Sequence, residues 1–272
     1  TRYWRDWSSD VCSSDLGLAD FAYVPSLAFI SARASGADIT ALWVTMQHET
    51  GRLVYNADNK AITRPADLSG KTYAGFGSDW EKALIGTMIR TDGGKPEWNT
   101  VTLGTGAYEA LAAGAVDFTL EVATWEGVNS KLLHRHQASF AYSDYGIPDQ
   151  QNGYIATRAV TLKDKPDLVG TFMRATLEGY EWAAENPEKA ADMMITAGDF
   201  PNPELVRGSM QAITEVGFLK DGDTPVGKID GARLQRMARF LADNGVLKDA
   251  TGNMLRQPGD VSKWVDESWR DR

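Results

Sequence analysis

Apolar residues in this chain fall into short runs separated by polar breaks, then shift to helical spacing toward the carboxyl end. Runs at 39–46, 71–75, 100–103, 138–142 and 154–160 have the length and β-branched content of strands. From 165 to 185, Leu168, Phe172, Met173, Leu177 and Tyr180 recur near helical spacing and predict a buried stripe. Asn186-Pro187 opens a further helix, and another at 233–244 stops at Gly245. Met193, Met194 and Met237 read as core fillers. Between the early strands, Ser78-Asp79-Trp80-Glu81 has the spacing of a capping box and predicts a helix from Asp79. Thr105 is placed to cap a helix over 106–113 that carries Tyr108 in its first turn.

One local pattern occurs twice. GLADFAYV at 17–24 and GAVDFTLE at 114–121 both lead from Gly through small apolar residues into Asp-Phe and a strand-like run. A helix-length segment and a second strand follow each copy, at 25–34 and 39–46, then at 125–134 and 138–142. Each copy is thus predicted to be a β-α-β unit with strands running the same way. In open parallel sheets, ligands lie beyond the carboxyl ends of the strands. Tyr23, Pro25, Ser26 and Gln47 occupy such ends in the first half, and Glu121, Ala123 and Trp125 in the second. Two lobes presenting these ends to each other would enclose a small molecule.

The formal net charge of -9 and the lack of a basic run argue against nucleic acid as a partner. No apolar stretch reaches the roughly 18 residues that span a bilayer. Residues 6–16, DWSSDVCSSDL, resemble the conceptual translation of a common sequencing adapter, so 1–16 are set aside as non-native and the authentic start is expected to be missing. The single cysteine, Cys12, lies there; the remainder holds no thiol for a disulfide, a metal or nucleophilic catalysis. Gly75-Phe-Gly77 and Gly104-Thr-Gly106 sit at strand-to-helix turns but lack the further residues of a phosphate loop. His134 and His136 have no evident third partner for a metal, and His48 follows the strand end at Gln47.

Five segments in order, GLADFAYVPS, ITRPADLSGKTYAG, ALAAGAVDFTLEVATWEG, YSDYGIP and GYEWAAENPEKAADMM, resemble the solute-binding proteins of ABC importers for thiamine pyrimidine precursors, a family grouped with the aliphatic-sulfonate binders. The resemblance implies a two-lobed α/β fold of the type II periplasmic-binding-protein kind, with the first strand and helix of lobe 1 missing. It implies lobe 1 at 17–68, lobe 2 at 69–149, and a return to lobe 1 over 150–272, with hinge closure on a solute. The implied partners are a small-molecule solute and a membrane permease, in the periplasm or anchored at the cell surface, with no cofactor.

The expected ligand contacts are Tyr23, Ser26, Gln47, Gly77, Trp80, Tyr108, Glu121 and Trp125. No arginine can be placed at a strand end. Aromatic walls and a carboxylate acceptor suit an aminopyrimidine-like heterocycle, with sulfonate or taurine and riboflavin-type solutes as alternatives. Some relatives of this fold are pyridoxal-phosphate-dependent pyrimidine synthases using a cysteine-rich segment. The missing thiols and the lack of a nucleophile-base pair make catalysis the minor reading.

Overall fold

The computed structural model describes residues 19–271, so the adapter-like segment, Cys12 and the first two residues of the GLADFAYV copy lie outside the described residues. Its strands are β1 (Ala22–Val24), β2 (Ile39–Met46), β3 (Gly51–Asn56), β4 (Thr72–Gly75), β5 (Asn99–Thr102), β6 (Phe118–Val122), β7 (Gln137–Ala141) and β8 (Asn152–Arg158). The helices are α1 (Ser26–Ala34), α2 (Asp79–Thr91), α3 (Ala107–Ala112), α4 (Glu126–Leu132), α5 (Ala159–Asp164), α6 (Pro166–Glu185), α7 (Pro187–Ala197), α8 (Pro203–Glu215) and α9 (Gly231–Asp243).

The described residues form two compact units, one from 19–49, 150–190 and 214–271 and the other from 50–149 and 191–213. The division after Glu49 comes earlier than the resemblance implied, because β3 pairs with β6 and β7 inside the second unit. Periodicity did not announce β3. Its apolar run is only Leu53-Val54-Tyr55, between Gly51-Arg52 and Asn56.

In the first unit, β8 lies between β1 and β2 and is antiparallel to both. The two strands of the first β-α-β copy therefore run the same way but do not pair with each other. In the second unit the order is β5-β4-β6-β3-β7, with β4 parallel to β5 and β6, and β3 antiparallel to β6 and β7. Here too the copy's strands, β6 and β7, share a direction and flank an inserted antiparallel strand. The repeat is real at the level of topology. Its two aspartates have separate roles: Asp117 accepts from the Thr72 amide at 2.8 Å, whereas Asp20 pairs with Lys165 at 2.7 Å.

Fully buried Trp43 anchors the first core, with Leu42, Val169, Met173, Val226 and Trp269 around it. The second unit buries Val54, Ala74, Ala107, Leu111 and Val116 between its sheet and α3. On α6, Val169 and Met173 are buried, whereas Leu168 and Phe172 are exposed; the Phe172 ring stacks on Phe21 at 4.0 Å. Met237 is core as expected, but Met193 and Met194 are 62% and 50% exposed, because the inward face of α7 is turned by Ala190 and Ala191 instead. Thr105 falls within a 3-10 turn, and no side chain caps α3.

Candidate functional site

In the second unit the carboxyl ends of parallel strands β4, β5 and β6 lie along one edge of the sheet. Beyond β4 the chain turns sharply around one carboxylate. Buried Glu81 accepts from the Tyr73 hydroxyl at 2.6 Å, the Phe76 amide at 3.0 Å and the Ser78 amide at 2.6 Å, while Ser78 Oγ accepts from the Glu81 amide at 3.2 Å. A side chain at Gly75 would bring its Cβ within 2.0 Å of Tyr73 Oη, so only glycine permits this closure. Glu81 thus builds the turn that presents exposed Phe76, Gly77 and, in the first turn of α2, half-buried Trp80.

At the end of β6 Val122 is exposed, as is Trp125 beyond it, and Glu126 accepts from the Val122 amide at 3.1 Å. Glu121 is 9% exposed, and its carboxyl is pushed up to about 7, first by burial and then by the neighbouring Glu126 charge, against the opposing pull of Arg52 and Lys131. Glu126 is likewise raised by burial. Half-buried Tyr108 is held well above the ordinary phenol range by burial and by Glu126, Glu121 and Glu81. Tyr108, Glu121 and Glu126 thus lie near enough to act on one another's ionisation, with Trp125 directly preceding Glu126.

In the first unit, the sequence-selected residues hold backbone. Ser26 Oγ donates to the Gln151 carbonyl at 2.9 Å and accepts from the Gly153 amide at 2.8 Å. Buried Gln47 accepts from Gln151 Nε2 at 2.7 Å, and Gln151 also accepts from the Asp230 amide at 2.7 Å. Tyr23 is exposed at its ring, yet its hydroxyl end lies over Gly153 and against Thr45, where burial raises its pKa. Gly153, at φ 76°, leaves the room for that ring.

Two arginines that sequence reasoning did not place stand at strand ends. Arg52 in β3 is the register partner of Glu121. Arg233 at the start of α9 donates to the Gln47 carbonyl at 2.6 Å and approaches His48 Nδ1 at 3.2 Å, while His48 Nε2 contacts Asp221 at 3.0 Å. The expectation that no guanidinium sits at these ends is corrected. Missing β3 hid the first, and the distance in sequence between β2 and α9 hid the second.

His136 pairs with Asp58 at 2.8 Å, and exposed His134 adopts a positive φ of 52° in the turn after α4. Among the described residues no group of three or more His, Cys, Asp or Glu is arranged to hold a metal.

Comparison with known proteins places this geometry in context. A formylaminopyrimidine-binding protein from Halalkalibacterium halodurans is 24% identical over 214 residues, covering 77% of this chain and 63% of that protein. The chain thus spans less than two thirds of this relative's length. The periplasmic aliphatic sulphonate binding protein SsuA from Escherichia coli superposes with a TM-score of 0.67 at 16% identity, over 93% of this chain and 78% of the other. The desulfurization enzyme DSZB gives a TM-score of 0.62 at 16% identity, over 93% and 85%. These likenesses show the fold, the α/β architecture of periplasmic binding proteins. The family model described as NMT1/THI5 like matches residues 11–190, beginning within the adapter-like segment. That match covers well over half of the sequence, and the chain belongs to the NMT1/THI5-like family.

Proposed function

We propose that this chain is the solute-binding component of an ABC importer and takes a small heterocycle of the aminopyrimidine class. The grouping of Tyr108, Glu121 and Glu126 beside exposed Trp125 carries the reading. A buried carboxyl accepts from an exocyclic amino group, the phenol donates to a ring nitrogen, and the indole supplies a flat apolar wall. Family membership and the name of the Halalkalibacterium relative support the same solute class. Phe76, Gly77 and Trp80 border the same sheet edge, while Tyr23, Ser26 and Gln47 serve by fixing the strand ends of the first unit. The protein works outside the cytoplasmic membrane with a permease partner; among the described residues no helix is long and apolar enough to cross a membrane. The role is binding rather than catalysis, so incubation with pyridoxal phosphate gives no imine absorbance.

Arg52 favours a second reading, an alkanesulfonate, since a guanidinium fork matches sulfonate oxygens. Calorimetric titration of formylaminopyrimidine, riboflavin and an alkanesulfonate separates the readings. The heterocycle is expected to bind, and Trp125→Ala to weaken it by about tenfold or more. Binding of the sulfonate alone overturns the proposal.

A further inference from the structure

The second unit contains a polar pocket where a helix-sheet interface ordinarily buries apolar side chains. It lies between α4 and strands β3, β6 and β7, with a volume of about 160 Å³. At roughly 30 Å³ per water, that is space for several waters. Arg52, Lys131 and Arg135 line it together with Ser130, Ser139, the Glu121 carboxyl and Gln137, whose Oε1 is buried without a hydrogen bond. Three cations around one pocket are notable in a chain whose net charge is -9.

Their compensation is incomplete. Arg135, whose side chain is 16% exposed, pairs at 2.5 Å with Glu109, which is 76% exposed and therefore offers a solvent-screened charge. Arg52 and Lys131 act on Glu121, which keeps its proton up to about pH 7 because burial and Glu126 outweigh them. The excess near neutrality is positive. Ser130 is buried, and neither its hydroxyl nor that of Ser139 makes a hydrogen bond among the described residues.

From this set we propose that the pocket beneath α4 binds a small tetrahedral oxyanion, phosphate or sulfate, free or as the anionic group of an organic molecule. Two guanidinium groups, an ammonium and two hydroxyls supply many donors at different angles. A tetrahedral anion satisfies such a set, whereas chloride presents one centre to all of them. Neither Trp125 nor Tyr108 lines the pocket, whereas Glu121 and Arg52 belong both to its lining and to the residues considered for the solute.

Titration calorimetry with inorganic phosphate, sulfate and methyl phosphate, at pH 6 and low ionic strength, tests this. Saturable one-site binding is expected, weakened about tenfold or more in an Arg52→Gln/Lys131→Gln double variant and unchanged in Trp125→Ala. Methyl phosphate binding as well as inorganic phosphate marks an organic ligand; rejection of it marks the free ion. Lys131→Gln alone, at an exposed side chain, gives a smaller loss and serves if the double variant does not fold. The proposal is overturned by no saturable heat with any of the three, by equal response to chloride at matched ionic strength, by undiminished affinity in the lysine variant, or by loss of anion binding in Trp125→Ala.

Discussion

At the scale of single residues, Glu121 shows what a sequence can and cannot reveal. Its place at the end of an alternating strand was readable, and so was the cost of burying it. Its opposing cation was not, because Arg52 becomes a neighbour only through the β3–β6 register. The consequence is measurable in stability. Folded Glu121 keeps its proton to about pH 7, whereas the unfolded chain releases it near 4.5. The contribution is therefore fully present below about 4.5 and lost as pH rises through 7, since the unfolded state gives up the proton more readily. Urea unfolding is expected to show stability falling between pH 5 and pH 8 by on the order of 1–3 kcal/mol from this group. Glu121→Gln cannot ionise and should flatten that part of the profile. An identical slope in the variant would mean that other groups set it.

At the scale of elements, local chemistry was legible wherever one short segment contains all the information. Both reciprocal hydrogen bonds of the Ser78–Glu81 capping box form, and α2 begins at Asp79 as its spacing dictates. α8 escaped notice because its polar residues mask its apolar stripe, and β3 because three apolar residues carry too little pattern. Strand direction in the two β-α-β copies was inferable from the helical crossovers, but the strand between each pair comes from elsewhere in the chain. No local signal encodes that. The turn after β4 yields a graded prediction. Ser78→Ala removes one cap and should cost about 1 kcal/mol. Glu81→Ala strands the buried Tyr73 hydroxyl and two backbone amides, and should cost about 3 kcal/mol or more. Glu81→Gln retains a carbonyl for Tyr73 and falls between them. Equal losses in chemical denaturation for all three would show that the carboxylate does not organise the turn.

For the whole molecule, each unit carries its own core, and the first is assembled from three separated segments. Its carboxy-terminal segment is a working part of that core: Trp269 donates from Nε1 to the Leu42 carbonyl at 3.1 Å, and its ring lies 6.3 Å from Trp43. Arg270 stacks over both rings, at 4.5 Å from Trp269 and 5.5 Å from Trp43. Sequence periodicity could not join residues 42 and 269, because helical or strand spacing reports one element at a time. Trp269→Ala leaves a cavity beside Trp43 and an unpaired carbonyl, a loss of about 3–5 kcal/mol. Because that core belongs to the first unit alone, hydrogen exchange should accelerate in β1, β2 and β8 of the variant while the amides of β3, β4 and β6 keep their protection. Acceleration spread evenly over both sheets would show that the chain unfolds as one cooperative body, and the assignment of two separate cores would have to be abandoned.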